Sequence, residues 1–157
     1  MKKTSYKLFM ILLERLVRSG LPLVDPHPRL IWEKKKTAIV KKKEMDLSRF
    51  KILCDFGGRA YGFIRCKEPE KIDLAKFKKT RAKHLITDEE LDRWWPGAKE
   101  LWTYGIRDFF AFERARKIKK PAKGIQTSIE EVVFKRTKFD PRLTAKELKE
   151  ASDKELI

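Results

Sequence analysis

The chain has 157 residues, 41% of them hydrophobic, and its 39 Lys and Arg against 23 Asp and Glu give a formal net charge of +16 at pH 7. That length supports one domain with its own core and excludes two of ordinary size. The charge points to a polyanionic partner, because phosphates neutralised by Lys and Arg release counterions whatever their sequence, although Lys-rich surfaces also accompany thermal adaptation. Cys54 and Cys66 form no CxxC pair, and His27 and His84 are far apart in sequence. Neither a zinc site nor a disulfide framework follows from them, and no metal or cofactor is expected.

Residues 6–17 place Phe9, Leu12, Leu13, Leu16 and Val17 on one helical stripe, which Gly20 and Pro22 end. The apolar run Leu8–Leu13 meets Glu14 and Arg15 at once, too short for a signal peptide or membrane span, so a soluble cytoplasmic protein is expected. Pro22, Pro26 and Pro28 make residues 21–28 an extended connector. From Arg29 to Lys43 the chain carries seven Lys or Arg against one acid, Glu33. Leu30, Ile31 and Trp32 read as the buried side of a short helix, and Thr37–Val40 as a strand. A helix that passes into a strand through cations makes an anion site; the same lysines could equally form a solvated turn.

Residues 51–55 read as a strand and Phe56-Gly57-Gly58 as a turn. Along 59–67 the even positions are small or apolar, and the odd positions, Arg59, Tyr61, Phe63, Arg65 and Lys67, interleave cations with aromatics. That odd face could stack bases and hold phosphates, or Tyr61 and Phe63 could complete a core with the cations at its rim. Asp73 starts a helix over 73–84, acidic at its beginning and basic at its end. Thr87 and Glu90 form a capping box for a helix that Pro96-Gly97 ends. Adjacent Trp94 and Trp95 cannot face one way on a helix, so one should plug the core and the other line a cleft. Residues 100–106 and 107–112 read as two further strands, bringing the count to at least five, with Trp102, Tyr104, Phe109, Phe110 and Phe112 in the core. A basic loop follows over 117–123, then helical patterns at 127–136 and 144–156, the second with mixed charges.

The order of these elements resembles the ASCH domain family, a group of PUA-like β-barrels associated with RNA and modified nucleosides. Its signature along the first strand falls on residues 34–41, where Lys36 and Thr37 match, Lys41 stands where arginine is common, Lys34 replaces a glycine and Ile39 a polar residue. GGRAYGFIRCKEP is similar to the family's barrel strand, and HLITDEELDRWWPGAKELWTYGI to the stretch leading through a Thr-x-x-Glu helix and a Pro-Gly turn to the closing strand. The resemblance implies an α+β fold: a small PUA-like mixed β-barrel of five or six strands over 28–119, with flanking helices. Residues 1–27 form an N-terminal helix and connector outside it, and 120–157 a C-terminal helical extension that could pack on the barrel or bind a protein partner.

Two functions from different classes are expected. The first is nucleic-acid binding, RNA foremost, with Lys36, Lys41, Arg59 and Arg65 on phosphates and Tyr61, His84, Trp94 and Trp95 lining the cleft. The second follows from the resemblance alone: some ASCH members hydrolyse the amide of acetylated cytidine with the signature lysine, a hydroxyl three positions on and a glutamate. Here the lysine is Lys36, the acid is Asp88, Glu89 or Glu90, and the hydroxyl position is Ile39, which can neither attack nor relay a proton. Thr37 is the substitute, but strand alternation turns it away from Lys36. Such a hydrolase, acting on a modified nucleoside or on RNA, would rely on Lys36, Thr37 and Glu90, and the balance falls towards binding.

Overall fold

The computed structural model describes residues 3–122 and 128–135. Helix α1 (Lys3–Leu16) leads into β1 (Gly20–Pro22), α2 (His27–Trp32), β2 (Ala38–Lys41), β3 (Lys51–Cys54), β4 (Arg59–Cys66) and β5 (Glu70–Asp73). Three short helices follow, α3 (Leu74–Lys79), α4 (Arg81–His84) and α5 (Asp88–Trp94), before the long β6 (Glu100–Lys117). The strand order is β1-β3-β4-β6-β2, with β5 also on β6; β1 and β3 are parallel and every other pair is antiparallel. Cys66 lies opposite Ile106 and Asp73 opposite Glu100, so β4 and β5 run one after the other along one edge of β6. β2 takes the other edge, at Trp102–Gly105. The result is a mixed, curled half-barrel flanked by helices. Among the described residues no helix is long and apolar enough to cross a membrane.

Several local expectations change. The connector at 21–28 carries a strand and the start of α2, because Leu21 and Leu23 are apolar enough to be buried and Leu23 N–H bonds to the Cys54 carbonyl. The helix at 73–84 divides at Thr80, and β5 precedes it. Residues 100–117 form one strand instead of two, with no turn signal to break it. Residues 128–135, expected to be helical, instead form bridges, Ile129 with Gly20 and Phe134 with Ile118; a Cβ on Gly20 would lie 2.5 Å from Val132 Cγ2. The helix expected at 144–156 lies outside the described residues.

Both faces of the sheet are covered. Leu13 and Val17 of the N-terminal segment pack with Phe63, Phe112 and Ile118 on one face, while Leu21, Ile31, Ile39, Tyr61, Ile64 and Tyr104 fill the other. A third cluster, around Val40, Phe77, Ile86 and Leu91, seats α3 to α5 against β2 and β6. The odd positions of β4 therefore do not share one exposed face. Its register shifts between Ala60 and Gly62, sending Tyr61 to one core and Phe63 to the other, both buried. Only glycine fits at the shift, since a Cβ on Gly62 would lie 2.4 Å from the Phe110 carbonyl oxygen.

Candidate functional site

The C-terminus of α2 sets the position of the lysine-rich segment. Lys34 closes that helix in the left-handed conformation (φ 64°), and the N–H groups of Lys35 and Lys36 bond back to the Leu30 carbonyl. A left-handed residue here is one that glycine would adopt at no steric cost. The chain then enters β2, held by Thr37 N–H to the Lys83 carbonyl and by the Thr37 carbonyl accepting from Ile106 N–H. Lys36 points inward and Thr37 outward, as strand alternation requires.

Lys36 lies in a cleft of about 770 Å³ between β2, the chain entering α2, and α5. Its lining holds Lys41, Lys42 and Lys43 from the end of β2 onward, Arg93, Trp94 and Trp95 from the end of α5, and the apolar Leu23 and Phe56. Both tryptophans are half-buried, and both pack against the third core cluster while lining the cleft, edge to face with centroids 5.6 Å apart, so the two roles expected of separate rings are shared. Their shared place comes from α5 ending at Trp94, which frees Trp95 from helical geometry at the C-cap. Ile39 also lines the cleft but is only 1% exposed and belongs to the core cluster with Tyr61 and Tyr104, so the hydroxyl position is a hydrocarbon surface.

The floor is polar. Lys36 is 3% exposed, and its ammonium donates to the His84 carbonyl. Burial pushes its pKa down to about 7, with Glu90 opposing the shift and Lys41 adding to it. Burial also brings the half-buried Lys41 down to about 8. His27 Nε2 lies 2.9 Å from Glu90 Oε2. Burial, then Lys36, lowers the His27 pKa; burial would raise that of Glu90, but the Thr87 backbone N–H and His27 outweigh it and hold the carboxyl below its ordinary value. At neutral pH Glu90 is therefore a carboxylate and His27 a neutral ring donating from Nε2. His27 Nδ1 is buried and has no hydrogen-bond partner among the described residues. Among those residues no three His, Cys, Asp or Glu converge to hold a metal ion.

Of the residues expected at the site, Lys36, Lys41, Trp94 and Trp95 meet in the cleft, and Glu90 stands beside it through His27. Five are elsewhere. Thr37 is exposed on the far side of the strand. His84 contributes its carbonyl, but its ring is 1% exposed, stacks on Phe77 at 4.2 Å, bonds through Nε2 to the Phe77 carbonyl, and accepts from Ile86 N–H at Nδ1. Tyr61 is buried and donates to Asp55, and Arg65 pairs with Asp108 over the Phe50 ring. Arg59 is exposed at the start of β4, outside the cleft lining. His27, Phe56 and Arg93 were not expected there. His27 and Glu90 are 63 residues apart, and no local spacing links them.

No family model matches the chain, and no curated protein does. Among solved structures it is similar to the ASCH protein of Zymomonas mobilis, with 11% identity and a TM-score of 0.53 over 86% of this chain and 93% of that one. A tyrosine-to-phenylalanine variant of the same protein gives 12% identity and 0.56 over 86% and 96%, and a serine-to-alanine variant 12% and 0.53 over 86% and 94%. Likeness at such low identity carries architecture and not chemistry: the chain has the fold of that ASCH protein.

Proposed function

We propose that the protein binds nucleic acid, single-stranded RNA foremost, in the cleft between β2 and α5. The observation that carries this reading is the presence, in the lining of one cavity of about 770 Å³, of Lys41, Lys42, Lys43 and Arg93 together with two adjacent tryptophans. An unpaired base stacks on an indole whatever its identity, and Lys and Arg neutralise the flanking phosphates. Lys36 supplies a donor at the floor, and Lys41, Lys42, Lys43 and Arg93 meet the backbone. The test is titration of a labelled single-stranded decamer RNA at rising salt. Affinity should fall steeply with salt, and Trp95→Ala should weaken it by about 5- to 100-fold. A salt-insensitive affinity, or one indifferent to Trp95, defeats this reading.

One observation favours a second reading, a hydrolase acting on a modified nucleoside or on RNA. A lysine with a pKa of about 7 beside the His27–Glu90 pair is an amine able to accept a proton at neutral pH. With Ile39 at the hydroxyl position and Thr37 facing away, the lysine could only activate water. Under this reading the unmodified protein turns over an acetylated nucleoside or RNA, and Lys36→Ala abolishes turnover while changing RNA affinity only a few-fold.

A further inference from the structure

We propose that the cleft selects a phosphate-bearing nucleotide, free or at the end of an RNA, over the corresponding neutral nucleoside, and takes up protons as it binds. The proposal rests on the nucleic-acid reading of the same cleft and specifies what part of the ligand that cleft recognises.

Charge balance is the first argument. Lys41, Lys42, Lys43 and Arg93 all line the cavity, and among the described residues none of the four makes an ion pair or a side-chain hydrogen bond. Some cations elsewhere are paired, as in Lys71–Glu100, Lys76–Glu70 and Arg116–Glu14, and among the described residues others stand singly on the surface; these four are set apart by lining one cavity together. The carboxylate nearest the cleft floor, Glu90, is already engaged by His27 and by the Thr87 cap. A neutral nucleoside would leave the cluster as repulsive as before; a phosphomonoester brings up to two negative charges and three acceptor oxygens.

Burial is the second argument. Lys36 is sealed at the floor, where its amine keeps a proton only against the cost of desolvation. The groups facing it are cationic or neutral apart from Glu90: Lys41 from β2, the neutral His27 of α2, and the His84 carbonyl of α4. Asp25 acts on His27, and Arg81 is paired with Asp88. With pKa values of about 7 and about 8, Lys36 and Lys41 are partly deprotonated in the empty cleft above neutral pH. A bound phosphate restores their protons, so affinity for it falls as pH rises from about 7 to about 9, while affinity for an uncharged nucleoside stays flat.

Calorimetric titration of the full chain with cytidine and cytidine monophosphate, in two buffers of different ionisation enthalpy, reads both effects. The monophosphate should bind about 10- to 100-fold more tightly near pH 7, with net proton uptake near pH 8, and the preference should shrink towards pH 9. Lys36→Met should remove part of the uptake. If that buried substitution prevents folding, the exposed pair Lys42→Ala/Lys43→Ala should still reduce the preference for the monophosphate. Decamers with a 5′-phosphate and a 5′-hydroxyl locate the source: a preference for the phosphorylated end places the site at a chain terminus, whereas equal affinity alongside tight monophosphate binding assigns it to a free nucleotide. Cytidine binding as tightly as its monophosphate, or monophosphate binding without proton uptake, overturns the proposal even if both decamers bind and the nucleic-acid reading survives. Tight monophosphate binding with no decamer binding supports the phosphate site and removes the RNA reading.

Discussion

The cost of placing Lys36 at the floor of the cleft depends on pH. Its folded-state pKa of about 7 lies below the 10.5 of a free lysine. Between those values the unfolded chain holds more protons, so this residue makes stability rise with pH; the full penalty applies below about 7 and disappears above about 10.5. Lys36→Met should therefore stabilise the protein by about 1–3 kcal/mol near pH 6.5, after allowing for the lost bond to the His84 carbonyl. The gain should vanish or reverse near pH 10. Urea unfolding of both proteins across pH checks this. The comparison must be between proteins at each pH, because the buried thiols of Cys54 and Cys66, pushed up to about 12, pull the stability of both the other way in alkali. Lys36 was legible in the sequence because a motif marks it. The two histidines were not: His84 looked like a site residue from its neighbours and is a core ring bonded at both nitrogens, whereas His27 reaches Glu90 only through the tertiary fold.

At the level of elements, helix caps were easier to read than strand faces. The Thr87–Glu90 capping box forms as expected because both partners lie within one turn. The faces of β4 do not follow its alternation, because the register shift near Gly62 is fixed by how closely β6 approaches, a contact with residues almost fifty positions away. Gly62→Ala should cost about 2–4 kcal/mol, the added methyl having backbone against it on the β6 side. A fall in stability of less than about 0.5 kcal/mol in urea unfolding would show that the shift does not need glycine. Lys34 offers the opposite test. It holds a left-handed conformation that costs a side chain about 1 kcal/mol, so Lys34→Gly should raise stability by about 0.5–1 kcal/mol without disturbing Lys36. β5 escaped notice because three of its four residues are exposed, which leaves little hydrophobic pattern to read.

For the molecule as a whole, the resemblance placed a barrel over residues 28–119, with an N-terminal helix and an extended connector before it. The structure gives the first 27 residues two tasks, of which the apolar stripe of α1 suggested one and nothing in the connector suggested the other. Leu12, Leu13 and Val17, with Leu21 and Leu23, are buried, and β1 extends the sheet beside β3. At about 1.5–3 kcal/mol for each buried aliphatic side chain, these five contribute about 7–15 kcal/mol, as much as the whole net stability of an ordinary domain. A chain trimmed to residues 28–119 should therefore lack a cooperative thermal transition and dispersed amide resonances, and a sharp melt in that fragment would mean that the half-barrel holds its core without α1 and β1. The same trimming removes His27, Pro22, Leu23 and Val24 from the cleft lining. Even a fragment rescued by stabilising substitutions should then bind RNA poorly, because four of the residues that line the cleft, His27 among them, come from the segment that completes the core.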